Sequence, residues 1–265
     1  MLSAATDNRV EAMTRFTRNV AHGLHRLQHA YVNCYVLESG AAGDRGVTII
    51  DTAFPNTWPL MVRALAAIER SPSDVRAILL THAHFDHLGF ARRAQLEWGA
   101  PVFAHSEESY LARHPYRYEH ERSRLTYPLR HPGSIPVLGR MVGAGALRVR
   151  GLDDLQSFGG DDVLSVPGNP RVVFSPGHTF GHCAFHLPEQ GVVLTGDALV
   201  TFDPYTGVRG PQIVSGAATA NSDDAMASLD ALEQAEARII LPGHGQPWRS
   251  GIAAAAEAAR SAGRS

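Results

Sequence analysis

Residues 75–87 read VRAILLTHAHFDH: a short apolar run of buried-strand type that ends in His82, His84, Asp86 and His87. A strand tip has no packing use for three imidazoles and a carboxylate within six positions, because each would have to be desolvated and then paired. Divalent metal ions supply that pairing, and neutral imidazole with carboxylate suits zinc, iron or manganese. Four ligands so close in the chain cannot all converge on one ion without strain. Splitting them as His82 with His84, and Asp86 with His87, would serve two neighbouring ions. Three later stretches repeat the layout of apolar strand, turn and ligand. RVVFSPGH ends at His178, VVLTGD at Asp197 and RIILPGH at His244. Open α/β sheets collect such strand ends along one edge. Gly177, Gly196 and Gly243 permit the tight turns that would bring each ligand inward. Seven residues from four strand ends thus predict a dinuclear centre with a shared carboxylate.

Around these motifs, short β-rich runs alternate with helical patterns. Strands are predicted at 33–39, 46–52, 75–81 and 101–105, and the stretches 171–178, 183–188, 191–197 and 238–244 read as further strands with their turns. Helices are predicted at 56–69 (Trp58, Met61, Leu65 and Ile68 on one face), 90–98, 222–236 and through the alanine-rich end from 251. The 265 residues with 44% hydrophobic content suit one large domain. All 24 basic residues are arginine, which excludes Schiff-base and phosphate-loop lysine chemistry. The net charge of −2 argues against a nucleic-acid partner. No apolar run reaches membrane-span length and no signal peptide is apparent, so no membrane partner is expected. Cys34 and Cys183, both in apolar contexts, are no disulfide framework and point to a cytoplasmic setting. Residues 110–150 differ in composition: eight arginines against Glu119 and Glu121 give a local charge of +6, with four tyrosines. The wider span of about 106–160 reads as an insertion into a single domain over 1–265, serving as a cap, an oligomer contact or plain surface.

THAHFDHLG, SPGHTFGH, TGDAL and LPGHG resemble, in order, the metal-binding motifs of the metallo-β-lactamase-fold hydrolases. The resemblance implies a four-layer αββα sandwich with the metals at the edge between its sheets. Carried over by position, His82, His84 and His178 bind the first ion and Asp86, His87 and His244 the second, with Asp197 bridging. It also implies two divalent ions, zinc first, with iron or manganese as alternatives. A hydroxide held between two cations would attack the substrate, since metal binding lowers the pKa of water towards ~7. Asp86 could steer the nucleophile or pass on a proton, which makes Asp86 and Asp197 the catalytic carboxylates. Asp51 and His182 match family residues that orient ligands; Asp51 is expected to accept a ring N–H from His82 or His84.

The family's subgroups narrow the function. β-Lactam-cleaving members lack the bridging aspartate, so Asp197 points to the glyoxalase II-like group of thioesterases, lactonases and phosphodiesterases. Only 21 residues follow His244, so the helical domain that glyoxalase II carries there is not expected. Lactonases place a tyrosine three residues after that aspartate; here the position is Val200, and Tyr205 is nearest. Phe54, Phe202 and Tyr205 are expected at the substrate pocket. The function implied is hydrolysis of a small-molecule ester, thioester or lactone. The alternative is an iron-dependent oxidoreductase of the persulfide dioxygenase type. A homo-oligomer is left open. The other histidines read as packing or surface residues: His22, His25 and His29 near the N-terminus, His105 at a helix start, and His114, His120, His131 and His186.

Overall fold

The computed structural model describes residues 14–124 and 127–265. Thirteen strands are described: β1 (Thr14–Ala21), β2 (Leu24–His29), β3 (Val32–Glu38), β4 (Val47–Ile50), β5 (Val75–Leu79), β6 (Val102–His105), β7 (Gln156–Phe158), β8 (Arg171–Phe174), β9 (Cys183–Leu187), β10 (Val192–Gly196), β11 (Val200–Phe202), β12 (Arg209–Gln212) and β13 (Ile239–Pro242). The helices are α1 (Trp58–Ala67), α2 (Phe85–Leu88), α3 (Ala91–Trp98), α4 (Ser109–Arg113), α5 (Tyr127–Arg130), α6 (Ile135–Gly143), α7 (Ser222–Glu233) and α8 (Ile252–Ala262). One sheet has seven strands in sequence order, β1 to β7, and a second has four in the order β13-β10-β9-β8. Strands β1 to β4 pair antiparallel, and β4 to β7 parallel.

The layers follow from the two-residue period of the strands. In β3, Tyr35 and Leu37 face the second sheet, packing with Phe185, Leu194 and Leu241. Cys34 and Val36 face the other way, towards Met61 and Leu65 of α1 and Ala94 of α3. In β10, Val192 and Leu194 join the inter-sheet core, while Val193 packs with Leu229 and Leu232 of α7 and Ala255 and Ala259 of α8. Both faces of the central strands are therefore covered, which is why they read as continuous apolar runs instead of alternating ones. The order helix, sheet, sheet, helix is the αββα sandwich.

Three differences from the sequence reading have physical causes. The hairpin β1–β2 was not expected, because its strands carry Arg15, Thr17, Arg26 and His25 where a core pattern would be apolar. Arg26 is buried nonetheless, donating to the Gly245 carbonyl and the Gln246 amide oxygen, and His25 is buried against Glu38, not on the surface. Next, α1 starts at Trp58 because residues 55–57 form a tight turn led by Pro55. Finally, residues 156–158 belong to the first sheet as β7, paired parallel to β6, so the sheet resumes inside the span read as an insertion.

Candidate metal centre

Four strand ends reach one edge of the sandwich. β5 leads into His82, His84, Asp86 and His87; the turns after β8, β10 and β13 carry His178, Asp197 and His244. All seven side chains are buried. Ligand atoms of His82, His84 and His178 lie within 4.8 Å of one another, and so do those of Asp86, His87 and His244. Asp197 sits between the two sets: its carboxylate is 3.5 Å from His178 Nε2, 3.5 Å from His87 Nε2 and 3.1 Å from His244 Nε2. His244 Nε2 is also 3.4 Å from Asp86 Oδ2.

The backbone permits this crowding at two glycines. A Cβ on Gly243 would lie 2.1 Å from Asp197 Oδ1, and one on Gly196 would lie 2.7 Å from His182 Nε2 and from Thr81. Gly196 also has φ +49°, in the left-handed region.

Outer hydrogen bonds fix the imidazoles. His87 Nδ1 meets Asp51 Oδ2 at 2.9 Å, His244 Nδ1 meets the Tyr31 carbonyl at 3.0 Å and His82 Nδ1 meets Thr81 Oγ1 at 3.0 Å. His178 Nδ1 lies 3.4 Å from Thr219 Oγ1. Asp51 also accepts the Thr81 amide and hydroxyl, both at 2.9 Å. Its direct ring partner is thus His87, not His82 or His84; it reaches His82 only through Thr81. Asp51 holds this position with φ +58°, a conformation found at sites where surrounding bonds over-determine the backbone. His182 spends both nitrogens locally, with Nδ1 2.9 Å from Ser175 Oγ and Nε2 accepting the Asp197 amide at 3.0 Å. No ring nitrogen of His182 is free for a cation, and the ring fixes the turn that presents Asp197.

Four buried atoms in this cluster make no hydrogen bond: His82 Nε2, His84 Nε2, His87 Nε2 and Asp197 Oδ1, the last two meeting only as an ion pair at 3.5 Å. Orphaned polar atoms are costly when buried, and the four residues that carry them all belong to the ligand groups, His84 with its other ring nitrogen, Nδ1, 3.0 Å from His178 Nε2. Burial, reinforced by neighbouring imidazoles, holds His82 well below the usual histidine range and brings His178 to about 3. Burial also brings His84 to about 3. All three are therefore neutral and able to ligate. Burial likewise disfavours charge on His87 and His244, but Asp197 and its neighbouring carboxylates outweigh it, raising His87 well up and His244 to about 10. Protons on these two rings balance the buried carboxylates, the role a dication would take over. The residues present therefore fit a pair of divalent ions.

A further carboxylate escaped the sequence reading. Glu108, at the turn into α4, is buried and accepts the Ala83 amide at 2.7 Å and the Gly181 amide at 3.0 Å. It joins the loop of His82 and His84 to the loop of His178 and His182. Burial raises its pKa despite these bonds. Nothing in SEESY distinguishes it from a surface glutamate; it is His105 that caps this turn, accepting the Glu107 amide.

A narrow opening leads onto the centre. Its outer wall is made of Phe85, Tyr118, Pro204, Tyr205, Val214 and Ala218. Of the three pocket residues expected from sequence, Tyr205 is there, its hydroxyl 3.2 Å from that of Tyr118. Phe54 is fully buried in the core beneath α1. Phe202 is buried with its ring stacked 5.3 Å from Tyr31, pointing away from the opening. Tyr118 lies instead in the tyrosine-rich segment, its ring 4.2 Å from His84, with the Arg124 guanidinium 4.6 Å above it. The signal for it was only the cluster of tyrosines between two motifs.

Residues 29–244 match the family model of the metallo-beta-lactamase superfamily. A probable metallo-hydrolase of Bacillus subtilis, YflN, is 27% identical over 244 residues, 86% of this chain and 85% of its own. The crystal structure of a metallo-beta-lactamase family protein from Thermus thermophilus, TTHA1429, superposes with a TM-score of 0.65 at 30% identity, covering 90% of this chain and 78% of that one. A hydroxyacylglutathione hydrolase of Cereibacter sphaeroides is 26% identical over 159 residues, 60% of this chain and 45% of its own.

Proposed function

Since the chain belongs to the metallo-beta-lactamase superfamily, we propose that it is a dinuclear metal-dependent hydrolase of a small ester, thioester or lactone. The observation that carries this reading is the pair of ligand triads with Asp197 between them and four buried atoms left without hydrogen bonds. His82, His84 and His178 would hold one ion, Asp86, His87 and His244 the other, and Asp197 both. Nitrogen and oxygen donors of this kind favour zinc, with iron or manganese as alternatives. Bound there, such ions supply Lewis acidity and an acidified water.

The protein's own groups supply orientation and proton handling. Asp51 and the Tyr31 carbonyl keep the Nδ1 side of His87 and His244 occupied, so their Nε2 atoms face the centre. Asp86 Oδ2, close to His244 Nε2, is placed to take or return a proton beside the reacting atoms. Whichever of Tyr118 and Tyr205 donates to the other, one hydroxyl proton is left over for an oxygen in the opening. Phe85, Val214 and Ala218 give the acyl part of a substrate an apolar wall. Residues 110–124 form one side of the opening through Tyr118, and we read them as its cap.

The thioester reading draws support from the similarity to a hydroxyacylglutathione hydrolase. The persulfide dioxygenase alternative would use one iron and leave Asp86 and His244 without a role. The partner proposed is a small molecule, not a nucleic acid. Cys34 and Cys183 are both free and buried, which fits a cytoplasmic setting. Among the described residues no helix is long and apolar enough to cross a membrane. The test is elemental analysis of protein purified without added metal, run beside an ester, thioester and lactone panel. The expected result is two ions per chain with turnover of at least one substrate class. One iron per chain would favour the dioxygenase, and metal-replete protein inert across the panel would end the hydrolase reading.

A further inference from the structure

From residue 122 to residue 152 there is no Asp or Glu, yet there are six arginines: 122, 124, 130, 140, 148 and 150. Such a run in a folded protein ordinarily pairs with acids from elsewhere, and among the described residues it does not. Every arginine ion pair among the described residues belongs to Arg45, Arg70, Arg92, Arg93, Arg260 or Arg264, and none to residues 110–150. Arg140 is used on the Tyr31 ring and Arg124 on the Tyr118 ring. Arg130, Arg148 and Arg150 are exposed.

The same stretch exposes apolar surface. Of the ten large hydrophobic side chains exposed among the described residues, four lie in it, Leu129 (85%), Ile135, Val142 and Leu147 (73%). Helix α6 shows why. Val137 and Met141 bury its inner face. Ile135, Leu138 and Val142, spaced three and four apart, form a second apolar stripe: Leu138 packs partly against the core, while Ile135 and Val142 are exposed among the described residues. A helix apolar on both sides, flanked by unpaired arginines, is built to meet something apolar and negatively charged together.

We propose that this face, α5, α6 and the turn through Arg150, docks the protein on an anionic lipid surface. A second copy of the chain fits less well, since a two-fold contact would set arginine against arginine. A nucleic acid offers the negative charge but no use for Leu129, Ile135, Val142 and Leu147. Lipid offers both: phosphate for the guanidinium groups, each worth roughly five-fold in partitioning near such a surface, and acyl chains for the aliphatic groups. The expectation of no membrane partner rested on the absence of a spanning run, which is silent about a helix lying in the interface.

The test is co-sedimentation of the full metal-loaded chain with two kinds of vesicle: phosphatidylcholine alone, and an equal mixture of phosphatidylcholine and phosphatidylglycerol. We expect at least about ten-fold stronger retention on the mixed vesicles, lost at high salt. Ile135→Asp with Val142→Asp should cut retention about ten-fold, and Arg148→Gln with Arg150→Gln should cut it about 25-fold through charge alone. Both pairs lie away from the metal centre, so metal content and hydrolysis of a dissolved substrate should stay unchanged, which verifies folding. Three results would overturn the proposal: no retention on either vesicle, equal retention on both, or a dimer in sedimentation velocity that Val142→Asp dissociates.

Discussion

Two regions meet at the opening and are held in opposite ways. The strand-end loops are clamped atom by atom: Asp51 alone takes three hydrogen bonds, Glu108 bridges two loops, and His182 uses both ring nitrogens. The segment 110–150 is held less by buried polar bonds than by apolar packing, with Val137, Met141, Ala144, Ala146 and Val149 in the core. Its main polar anchor is Glu121, whose carboxylate accepts the Ser222 amide at 2.7 Å and hydroxyl at 2.6 Å at the start of α7. Backbone bonds to Thr219 and Gly216 and one from the Tyr127 hydroxyl to the Ser265 carbonyl add to it. The difference separates two tasks: a centre that must present ligands without relaxing, and a wall that need only stand beside it.

The largest expected effect comes from removing the shared carboxylate. Asp197→Ala should lower metal content below two per chain and turnover by more than about 100-fold, read by elemental analysis and steady-state rates. Unchanged stoichiometry would show that Asp197 is not the link between the triads. Next comes Glu108, which ligates nothing in the proposed centre. Glu108→Ala should weaken metal binding by about 10–100-fold, measured by competition with a chelator, because both ligand loops lose an anchor. Glu108→Gln keeps one acceptor and turns a donor towards the other amide, so it should recover only part of the loss. If both variants bind metal like the parent, the loops are rigid without the clamp.

These two predictions also mark how far the sequence could be read. The seven converging residues were legible because strand-end clusters of imidazole and carboxylate have no other cheap explanation. The sandwich was legible only through the resemblance of the four motifs to a known family; the apolar strands by themselves marked elements covered on both faces, not their layering. Glu108 was not, since a buried carboxylate accepting backbone amides looks like any glutamate in a turn. Phe54 was misplaced for a related reason: proximity in sequence to Asp51 said nothing about which side of β4 the ring would take. Tyr118 depends on the path of a long segment, which local pattern does not specify.

A smaller effect tests the side held by apolar packing. Glu121→Ala removes two hydrogen bonds to a charged group at a helix start, worth about 1–2 kcal/mol. It should raise KM more than it lowers kcat, since the wall moves and the ligands do not. A fall in metal content instead would mean that the segment supports the centre through Thr219, which touches His178, and the contrast drawn above would collapse.

A last test, confined to acid pH, asks where the clamped region ends. His29, in β2, has its ring 2.9 Å from the Thr57 hydroxyl and edge-on to Phe54 at 6.5 Å, and burial lowers its pKa to about 4. In the unfolded chain the same ring titrates near 6.5. Between these values the unfolded state binds more protons than the folded one, so stability rises with pH from about 4 to 6.5 and is flat above. The contribution is present in full above the unfolded value and is lost as pH falls through this window, by about 1–3 kcal/mol in total. Denaturant unfolding of the parent and of His29→Gln at matched pH isolates it, because metal release affects both proteins alike and cancels in the difference. If the difference shows this slope, the β1–β2 hairpin is packed as tightly as the loops it backs. If it is flat, the ring reaches water freely, and the rigid region stops at β3.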